Sequence, residues 1–489
     1  MSLYKNLFKQ TAIYGIATVV PRIFSFSLTP LYTDVLPEKE YGEQALIFAG
    51  MAFLNVILAY GMETAFFRFY SSDAKKNVIS TSTISLFWSS IAFLGIALLG
   101  RKYLAEAGDL DVEYVTYTIW ILVLDALVIV PFSKLRAEGR PLLYAAIKIG
   151  NVAVNLLFNV FFLVYLEGIA KSHPESFWST IYVDDFQVGY IFVSNLIASM
   201  LTLVVLIPHY VKTEWHFDVS LWRKMMRYSL PVMIAGLAFV INETFDRFFL
   251  KAFLPLSEDN IKIQIGIYSA CYKLAVFMTL FTTAFRLGIE PFFFSHAQHE
   301  NARNTYATIT KYFVIFGSLI LLCVVVFADV LKMLMLRDKS YWEGMDVVPL
   351  IILANFFLGI YSNLSVWYKL SDKTKVGANI SIAGAIVTIV LNYFLIPHMG
   401  YMGSAIATIS AYGTMMLLSF YFGNKYYPIP YDMKKISLYL GMSITLSAIS
   451  FYVPVLRETY IFGILSIIAL MAIIYKGEKE TLQRILNRK

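Results

Sequence analysis

Long apolar runs, repeated from one end of the chain to the other, limit the possible folds of this sequence more than any other feature. A helix that crosses a bilayer needs roughly 20 consecutive apolar residues, and the chain offers many such runs separated by short charged segments. With 58% hydrophobic and 15% charged residues and a mean hydropathy of +0.65, the 489-residue chain lacks the polar surface of soluble domains. The sequence therefore predicts an all-α polytopic membrane protein.

Apolar runs bounded by charge clusters predict about 14 transmembrane helices. Their boundaries fall at about 11–33, 44–66, 78–99, 112–132, 143–165, 187–208, 228–252, 264–290, 306–327, 347–370, 376–396, 402–422, 436–454 and 460–475. An even number places both termini on one side. If that side is the cytoplasm, the cytoplasmic segments hold 25 of the 40 basic residues and the external segments hold 10, as the positive-inside rule requires. We therefore expect cytoplasmic N- and C-termini, and this placement explains the net charge of +7 without a nucleic-acid partner.

A weak internal repeat recurs at an offset of six spans. Its members are Leu36-Pro37 with Tyr41-Gly42 before span two, Leu254-Pro255 with Ile265-Gly266 before span eight, and Asn155 and Asn159 of span five with Asn392 of span eleven. Because six is even, the two copies have the same orientation and are related by a pseudo-two-fold axis along the membrane normal, with a cleft between two six-helix lobes. The sequence thus predicts lobes at 1–211 and 212–424, followed by two further helices and a cytoplasmic tail at 425–489.

Ionisable residues inside the predicted spans mark the candidate sites, because a charge at the bilayer centre costs at least about 2.5–3.5 kcal/mol. The cations Arg22, Arg247 and Lys273 lie in early spans of the two lobes. We expect them to face a cavity together with Lys148, where guanidinium and ammonium groups bind an anionic substrate. A second set either binds a coupling ion or forms ion pairs: Glu63, Asp125, Glu243, Asp246, Arg286 and Glu290.

Spacing divides this second set. Glu243, Asp246 and Arg247 stand at i, i+3 and i+4 and share one face of span seven, which we expect to turn towards the cleft. Arg286 and Glu290 stand at i and i+4 near the end of span eight, where a structural ion pair is favoured.

Signatures of enzymatic chemistry are missing from the sequence. There is no GxxxxGK[ST] phosphate loop. The longest predicted external loop, about 166–186, offers only Lys171 and His173, whereas a membrane glycan polymerase or ligase is expected to carry catalytic Arg or His in a large loop. We therefore expect a protein that is not an enzyme, with no catalytic residues, no metal site and no cofactor.

Three segments resemble the polysaccharide transporter (O-antigen flippase) branch of the multidrug/oligosaccharidyl-lipid/polysaccharide exporter superfamily. They are Gln10-Thr11-Ala12-Ile13-Tyr14-Gly15 with Thr29-Pro30-Leu31-Tyr32 and Glu40-Tyr41-Gly42; YSLPVMIAGLAFVINETFDRFFL at 228–250 with Ile265-Gly266-Ile267-Tyr268-Ser269-Ala270; and LNYFLIPHMGYMGSAIATISAY at 391–412. In the third segment, Ser404-Ala405 stands where the family often has Ala-Ala, a change that preserves close helix packing.

The resemblance implies a two-lobed exporter of the bacterial inner membrane. Such a protein flips a polyprenyl-diphosphate-linked oligosaccharide, an O-antigen or another surface polysaccharide unit, by alternating access. By position, Arg22, Arg247 and Lys273 correspond to the cations that line the central cavity in the family. Coupling to H⁺ or Na⁺ and association with polysaccharide-assembly enzymes are compatible with this function. The alternatives are a lipid II flippase or a multidrug/cation antiporter of the same fold, and then a membrane glycan polymerase or ligase.

Overall fold

The computed structural model of the protein describes residues 3–70, 75–295, 300–371 and 373–486. Nearly all of these residues are helical, and none of them forms a strand. Over the same ranges, 12 helical segments are long and apolar enough to cross a membrane. They are Glu38–Tyr70, Lys75–Leu99, Val112–Ala137, Pro141–Ser172, Gln187–Val211, Val219–Thr244, Glu258–Ile289, Ala302–Val326, Lys339–Leu370, Thr374–Met399, Tyr401–Tyr426 and Ile461–Lys479. The predicted all-α polytopic fold is confirmed.

Predicted span one overlaps the helices Leu3–Ser27 and Thr29–Val35, and predicted span thirteen overlaps Met433–Tyr452. None of these three helices is among the 12. The total of about 14 spans therefore stays a prediction. The chain divides into two compact units, Met1–Ser269 and Ala270–Lys489, and the predicted lobe boundaries after residues 211 and 424 also stay predictions.

We number the α-helices in chain order. Those that begin in the first unit are α1 Leu3–Ser27, α2 Thr29–Val35, α3 Glu38–Ala59, α4 Met62–Tyr70, α5 Lys75–Leu99, α6 Arg101–Gly108, α7 Val112–Leu127, α8 Ile129–Ala137, α9 Pro141–Val160, α10 Leu166–Ser172, α11 Phe177–Ile181, α12 Gln187–Val211, α13 Val219–Thr244, α14 Asp246–Phe253 and α15 Glu258–Tyr272. A π-helical turn, Phe161–Tyr165, joins α9 to α10.

The second unit continues with α16 Val276–Ser295, α17 Ala302–Val326, α18 Ala328–Met335, α19 Val348–Leu364, α20 Val366–Leu370, α21 Thr374–Met399, α22 Tyr401–Tyr426, α23 Met433–Tyr452, α24 Pro454–Thr459 and α25 Ile461–Leu486. Two 3-10 segments, Lys273–Ala275 and Lys339–Val347, precede α16 and α19.

Several predicted spans are two helices joined end to end. In span two, Tyr60 and Gly61 have φ angles of +31° and +70°, and this left-handed pair ends α3. Span seven breaks at Phe245, between α13 and α14, and span eight changes to the 3-10 turn at Lys273. Broken helices within a bundle expose backbone dipoles and often mark transport sites.

The helices of the first unit that matter for the site pack around one another. α12 contacts α7 and α9, and α3 contacts α7 and, along much of its length, α13. The approach of α3 to α13 is close, because an added Cβ at Gly236 would lie 3.1 Å from the Val56 side chain. The polar residues of α3, α7, α9 and α12 are thereby brought to a common centre.

In the second unit, α21 and α22 form a tight helical hairpin around Gly400, whose φ is +57°. An added Cβ at Gly403 would collide with the backbone of Leu395. The buried Ser404 hydroxyl donates a 2.7 Å hydrogen bond to Oδ1 of Asn392. Ser404 therefore does more than preserve close packing, because it satisfies a buried amide on the neighbouring helix.

The two asparagines of the repeat have matching hydrogen bonds. Nδ2 of Asn159 donates to the carbonyl oxygen of Asn155 at 2.8 Å, and Nδ2 of Asn392 donates to that of Thr388 at 2.7 Å, four residues earlier in both cases. Each Oδ1 accepts a hydrogen bond from a hydroxyl on another helix. The Tyr32 hydroxyl donates to Asn159 at 2.9 Å, and the Ser404 hydroxyl donates to Asn392. The sequence correspondence between spans five and eleven is thus accompanied by a common local structure.

Candidate functional site

A polar cavity of about 330 Å³ lies within the first unit, among α3, α7, α8, α9 and α12. Its lining residues are Asn55, Ala59, Asp125, Val128, Ile129, Phe132, Lys148, Asn151, Asn195, Ser199 and Thr202. Two of them, Asp125 and Lys148, are candidates from the sequence. Polar side chains that line a cavity inside an apolar bundle favour water, ions or a polar ligand over lipid tails.

Asp125 lies in the last turn of α7, where the chain bends into α8. Pro131, in the first turn of α8, has no N–H group to donate to the carbonyl oxygen of Leu127, so one helical hydrogen bond is missing where α7 meets α8. The Tyr210 hydroxyl donates to that carbonyl oxygen at 2.6 Å instead. The Asp125 carboxylate then accepts a 2.9 Å hydrogen bond from the Ser199 hydroxyl, which orients it at the cavity wall.

Lys148 projects from α9 into the same cavity. Its Nζ lies 4.4 Å from the centroid of the Phe132 ring, in a cation–π contact. Among the described residues no ion pair joins Lys148 to Asp125, although both line the cavity. The cavity is thus lined by one carboxylate and one ammonium group that do not form a direct ion pair with each other.

Neutral polar residues complete the lining, and these were missed from the sequence. Asn195, Ser199 and Thr202 stand at i, i+4 and i+7 and form one stripe along α12. The Thr202 hydroxyl accepts a 2.9 Å hydrogen bond from Nδ2 of Asn151 on α9. Their spacing inside an apolar run was a usable signal, but uncharged side chains cost too little in a bilayer to mark a site by themselves.

A second group of ionisable residues surrounds the break in span seven. Arg247 Nη1 lies 2.6 Å from Oδ1 of the adjacent Asp246, and Oδ2 of Asp246 accepts a 2.6 Å hydrogen bond from the Tyr268 hydroxyl on α15. Asp246 and Arg247 are both buried. The guanidinium also lies 3.4 Å from the carbonyl oxygen of Glu243 and 5.7 Å from the Tyr268 ring centroid. Asp246 and Tyr268 together hold the orientation of Arg247.

Glu63, at the start of α4, forms an ion pair with Arg136 of α8 at 2.5 Å. Both side chains are about half exposed, and the Arg136 guanidinium also packs over the Phe67 ring at 4.8 Å. This arrangement is typical of a surface ion pair between the ends of two helices, here the start of α4 and the end of α8.

The remaining candidates are separate from the cavity. The side chains of Arg22 on α1, Lys273 in the 3-10 turn and Arg286 on α16 are exposed, and none of the three lines the cavity. α1 continues through Pro21 and ends at Ser27. The side chain of Glu290 lies outside the described residues, so its ion pair with Arg286 stays a prediction. Within the described ranges, no three His, Cys, Asp or Glu residues come together as a metal site would require.

A family model described as "Polysaccharide biosynthesis protein" matches residues 7–277, more than half of the chain. The chain belongs to this family. The matched region extends from α1 to the first residues of α16, so it contains every residue that lines the cavity and the whole Asp246–Arg247–Tyr268 group.

Several solved transporter structures have the same fold as this chain. The structure "Lipid II flippase MurJ, inward closed conformation" matches with a TM-score of 0.73 and 14% identity, over 95% of this chain and 99% of MurJ. An inward-facing multidrug resistance MATE family transporter of the MOP superfamily matches with a TM-score of 0.65 and 13% identity, over 86% and 95% of the two chains. A MATE structure in the straight conformation gives 0.60 and 14%, over 89% and 96%.

At these identities the similarity establishes a common fold. The resemblance to the exporter superfamily, first seen in the sequence, is confirmed by the family match and by this fold. A comparison with curated proteins finds no match.

Proposed function

We propose that this polysaccharide biosynthesis family member is a flippase for a polyprenyl-diphosphate-linked oligosaccharide. It acts in the bacterial inner membrane, with both termini in the cytoplasm, and delivers an O-antigen or another surface polysaccharide unit to the outer leaflet. The observation that carries the proposal is a polar, charge-bearing cavity inside an apolar bundle of MurJ-like fold, within the region that matches the family.

The chemistry of such a substrate explains what the protein must supply. A diphosphate head group and its sugars cannot cross roughly 30 Å of hydrocarbon unaided, whereas the polyprenyl tail can remain in the lipid throughout. The transporter therefore needs to shield only the polar end. Arg22, Arg247 and Lys273 bind the diphosphate in this proposal, and Arg247 and Lys273 lie beside the breaks in predicted spans seven and eight.

Asp125 and Lys148 are proposed to couple the movement to an ion. A carboxylate that contacts a hydroxyl and faces a polar cavity can take up a proton or Na⁺, and the nearby ammonium group is displaced or attracted as the charge changes. Asp246 and Tyr268 have a different role in the proposal, because they orient Arg247. Glu63 and Arg136 stabilise the helix ends.

Complementation tests the substrate. In the native host, deletion of the gene should abolish display of one surface polysaccharide, and the wild-type gene should restore it. Arg22→Gln and Lys273→Gln should each slow display by roughly 10- to 150-fold, as expected for loss of one charge-assisted contact of about 1.5–3 kcal/mol, and Arg22→Lys should be milder. Lys102→Gln is the matched control, because Lys102 is an exposed lysine on α6. Full display by both glutamine variants would remove the cationic site from the proposal.

A lipid II flippase is the second candidate, since the fold matches MurJ with a TM-score of 0.73. The two candidates differ in what the gene can rescue. A lipid II flippase should restore growth of cells that lack their own lipid II flippase, whereas an oligosaccharide flippase should restore only the surface polysaccharide. Rescue of growth without any effect on surface polysaccharide would replace the first candidate by the second.

A further inference from the structure

The two glycines of the sequence repeat, Gly42 and Gly266, face each other where α3 crosses α15. A Cβ added at Gly42 would collide with the carbonyl oxygen of Lys262, and a Cβ added at Gly266 would collide with that of Glu38. Each carbonyl oxygen belongs to the residue four positions before the opposite glycine. Each added Cβ would also lie 3.0 Å from the backbone of the other glycine, at its nitrogen atom. The contact is therefore reciprocal, as in an interface with two-fold symmetry.

Only glycine permits this approach. The helices meet backbone to backbone, and every other residue type would place a Cβ inside the van der Waals radius of a carbonyl oxygen. Neither glycine has a positive φ, so neither is required for an unusual backbone conformation. Both are required for the crossing itself, which we call the Gly42–Gly266 crossing.

Ion pairs surround the crossing. Lys39 of α3 contacts Asp259 of α15 at 2.7 Å, and both side chains are substantially exposed. The buried Lys262 reaches Asp109, with Nζ lying 2.8 Å from Oδ2 and 2.6 Å from the carbonyl oxygen. The Lys262 ammonium beside Asp109 lowers the pKa of that carboxyl group below its usual value. The segment after α6 is thus tied to the same crossing.

We propose that the Gly42–Gly266 crossing is a gate, shut in this conformation, which closes the side of the protein that the basic residues predict to be external. The proposal rests on the transport function proposed above, since a transporter that alternates its access must open each side in turn. The residues after Leu36-Pro37 and Leu254-Pro255 approach and separate as a symmetric pair.

The contact is suited to opening. Helical N–H and C=O groups are hydrogen-bonded within their own helices, so separating α3 from α15 leaves no backbone group unsatisfied. The Lys39–Asp259 pair is exposed and contributes at most a small stabilisation, and its charges are rehydrated when it breaks. Close packing without bulky apolar side chains therefore gives a seal that can break without exposing a large hydrophobic surface.

Chemical cross-linking tests whether the crossing must open. The native cysteines are first removed by the substitutions Cys271→Ala and Cys323→Ala. In this background, the cysteines introduced by Lys39→Cys and Asp259→Cys should be joined efficiently by a short bis-methanethiosulfonate linker. We expect the cross-linked protein to lose transport and reduction of the linker to restore it. Full transport by the cross-linked protein would overturn the gate proposal, because transport would then not require the Gly42–Gly266 crossing to open.

The glycines provide a test that does not depend on knowing the substrate. In purified protein, Gly42→Ala and Gly266→Ala should each lower the yield of that cross-link about tenfold, because overpacking penalises the closed state. Gly95→Ala is the matched control, a glycine within α5 whose added Cβ would have no atom within 4 Å. Equal yields in all three variants, each running as a folded monodisperse species, would refute the gate. Failure of the proposed function would appear instead as an unchanged surface polysaccharide after gene deletion, with the cross-linking pattern intact.

Discussion

Two groups of charges in this protein are organised in opposite ways. In the second unit, Glu478 is almost completely buried and contacts Nζ of Lys311 at 2.6 Å and Nζ of Lys435 at 2.9 Å. In the first unit, Asp125 and Lys148 line one cavity, yet Asp125 accepts a hydrogen bond from the Ser199 hydroxyl and Lys148 lies over the Phe132 ring. The charges of the first group pair directly with one another, whereas a cavity lies beside the opposite charges of the second group.

The difference indicates which charges are structural. Burying a charge is costly, and a partner at hydrogen-bonding distance repays part of that cost, as around Glu478. A carboxylate and an ammonium group held beside an open polar cavity keep their capacity to exchange a proton, an ion or a polar ligand. We therefore expect substitutions at Glu478 to affect stability and substitutions at Asp125 or Lys148 to affect transport.

The largest expected loss of stability follows Glu478→Gln. Removing the carboxylate leaves two lysines without their common partner, and we expect the free energy of unfolding to fall by about 3 kcal/mol. Thermal unfolding in detergent measures the change. Glu458→Gln is the matched control, because Glu458 is exposed on the short helix α24. Equal stability of the two variants would show that the Glu478 cluster is not structural.

A smaller effect should appear at low pH, outside the membrane spans of the second unit. Burial alone would raise the pKa of Asp329, but hydrogen bonds from Arg457 and Lys332 hold it below its usual value. A folded-state pKa below the unfolded value means that this stabilisation is present above the unfolded pKa of about 3.9 and is lost as the pH falls through the folded pKa. We expect a loss of roughly 1 kcal/mol between neutral pH and strong acid from this cluster.

Asp329→Asn supplies the control for this acid dependence. The variant should be less stable than the wild type at pH 7, and the difference should disappear at strongly acidic pH, where the wild-type carboxyl group is also uncharged. Unfolding curves for both proteins across the pH range measure it. A difference that persists unchanged in acid would contradict an ionic origin.

The smallest change in stability is expected at the cavity. In Asp125→Asn the amide oxygen can still accept the hydrogen bond from Ser199, so the free energy of unfolding should change by less than about 1 kcal/mol. Lys148→Gln should be similarly mild, because it keeps a polar group at the cavity wall. A loss as large as that of Glu478→Gln would place both residues in the structural class.

The sequence predicted the broad architecture, and two of its candidate residues line the cavity, for a physical reason. Charges in apolar runs are costly, so Asp125 and Lys148 could be recognised as candidates without a structure. Asn195 and Thr202 were missed because neutral polar residues also occur in ordinary helix packing. Similarly, the charge of Arg247 was visible, but its orientation by Tyr268 depends on a contact between distant segments that no local pattern reports.

Helix breaks and close contacts show the same limit. Pro131 could have predicted the bend between α7 and α8, whereas neither Gly nor Pro stands at Phe245 or Lys273 to predict those breaks. The repeat predicted Gly42 and Gly266 as equivalent positions. It could not reveal that the two glycines touch, because equivalence in a repeat does not specify contact.

Flipping by the purified protein in liposomes tests the central claim most directly. The substrate is a polyprenyl-diphosphate-linked oligosaccharide, and an impermeant glycosidase added outside measures how much of the glycan has reached the outer leaflet. We predict that the wild-type protein exposes the inner-leaflet glycan and that Asp125→Asn does so about tenfold more slowly, the effect of losing about 1.4 kcal/mol of interaction. Lys102→Gln should match the wild type. Inner-leaflet glycan that stays as protected with the wild-type protein as in empty liposomes would contradict the account.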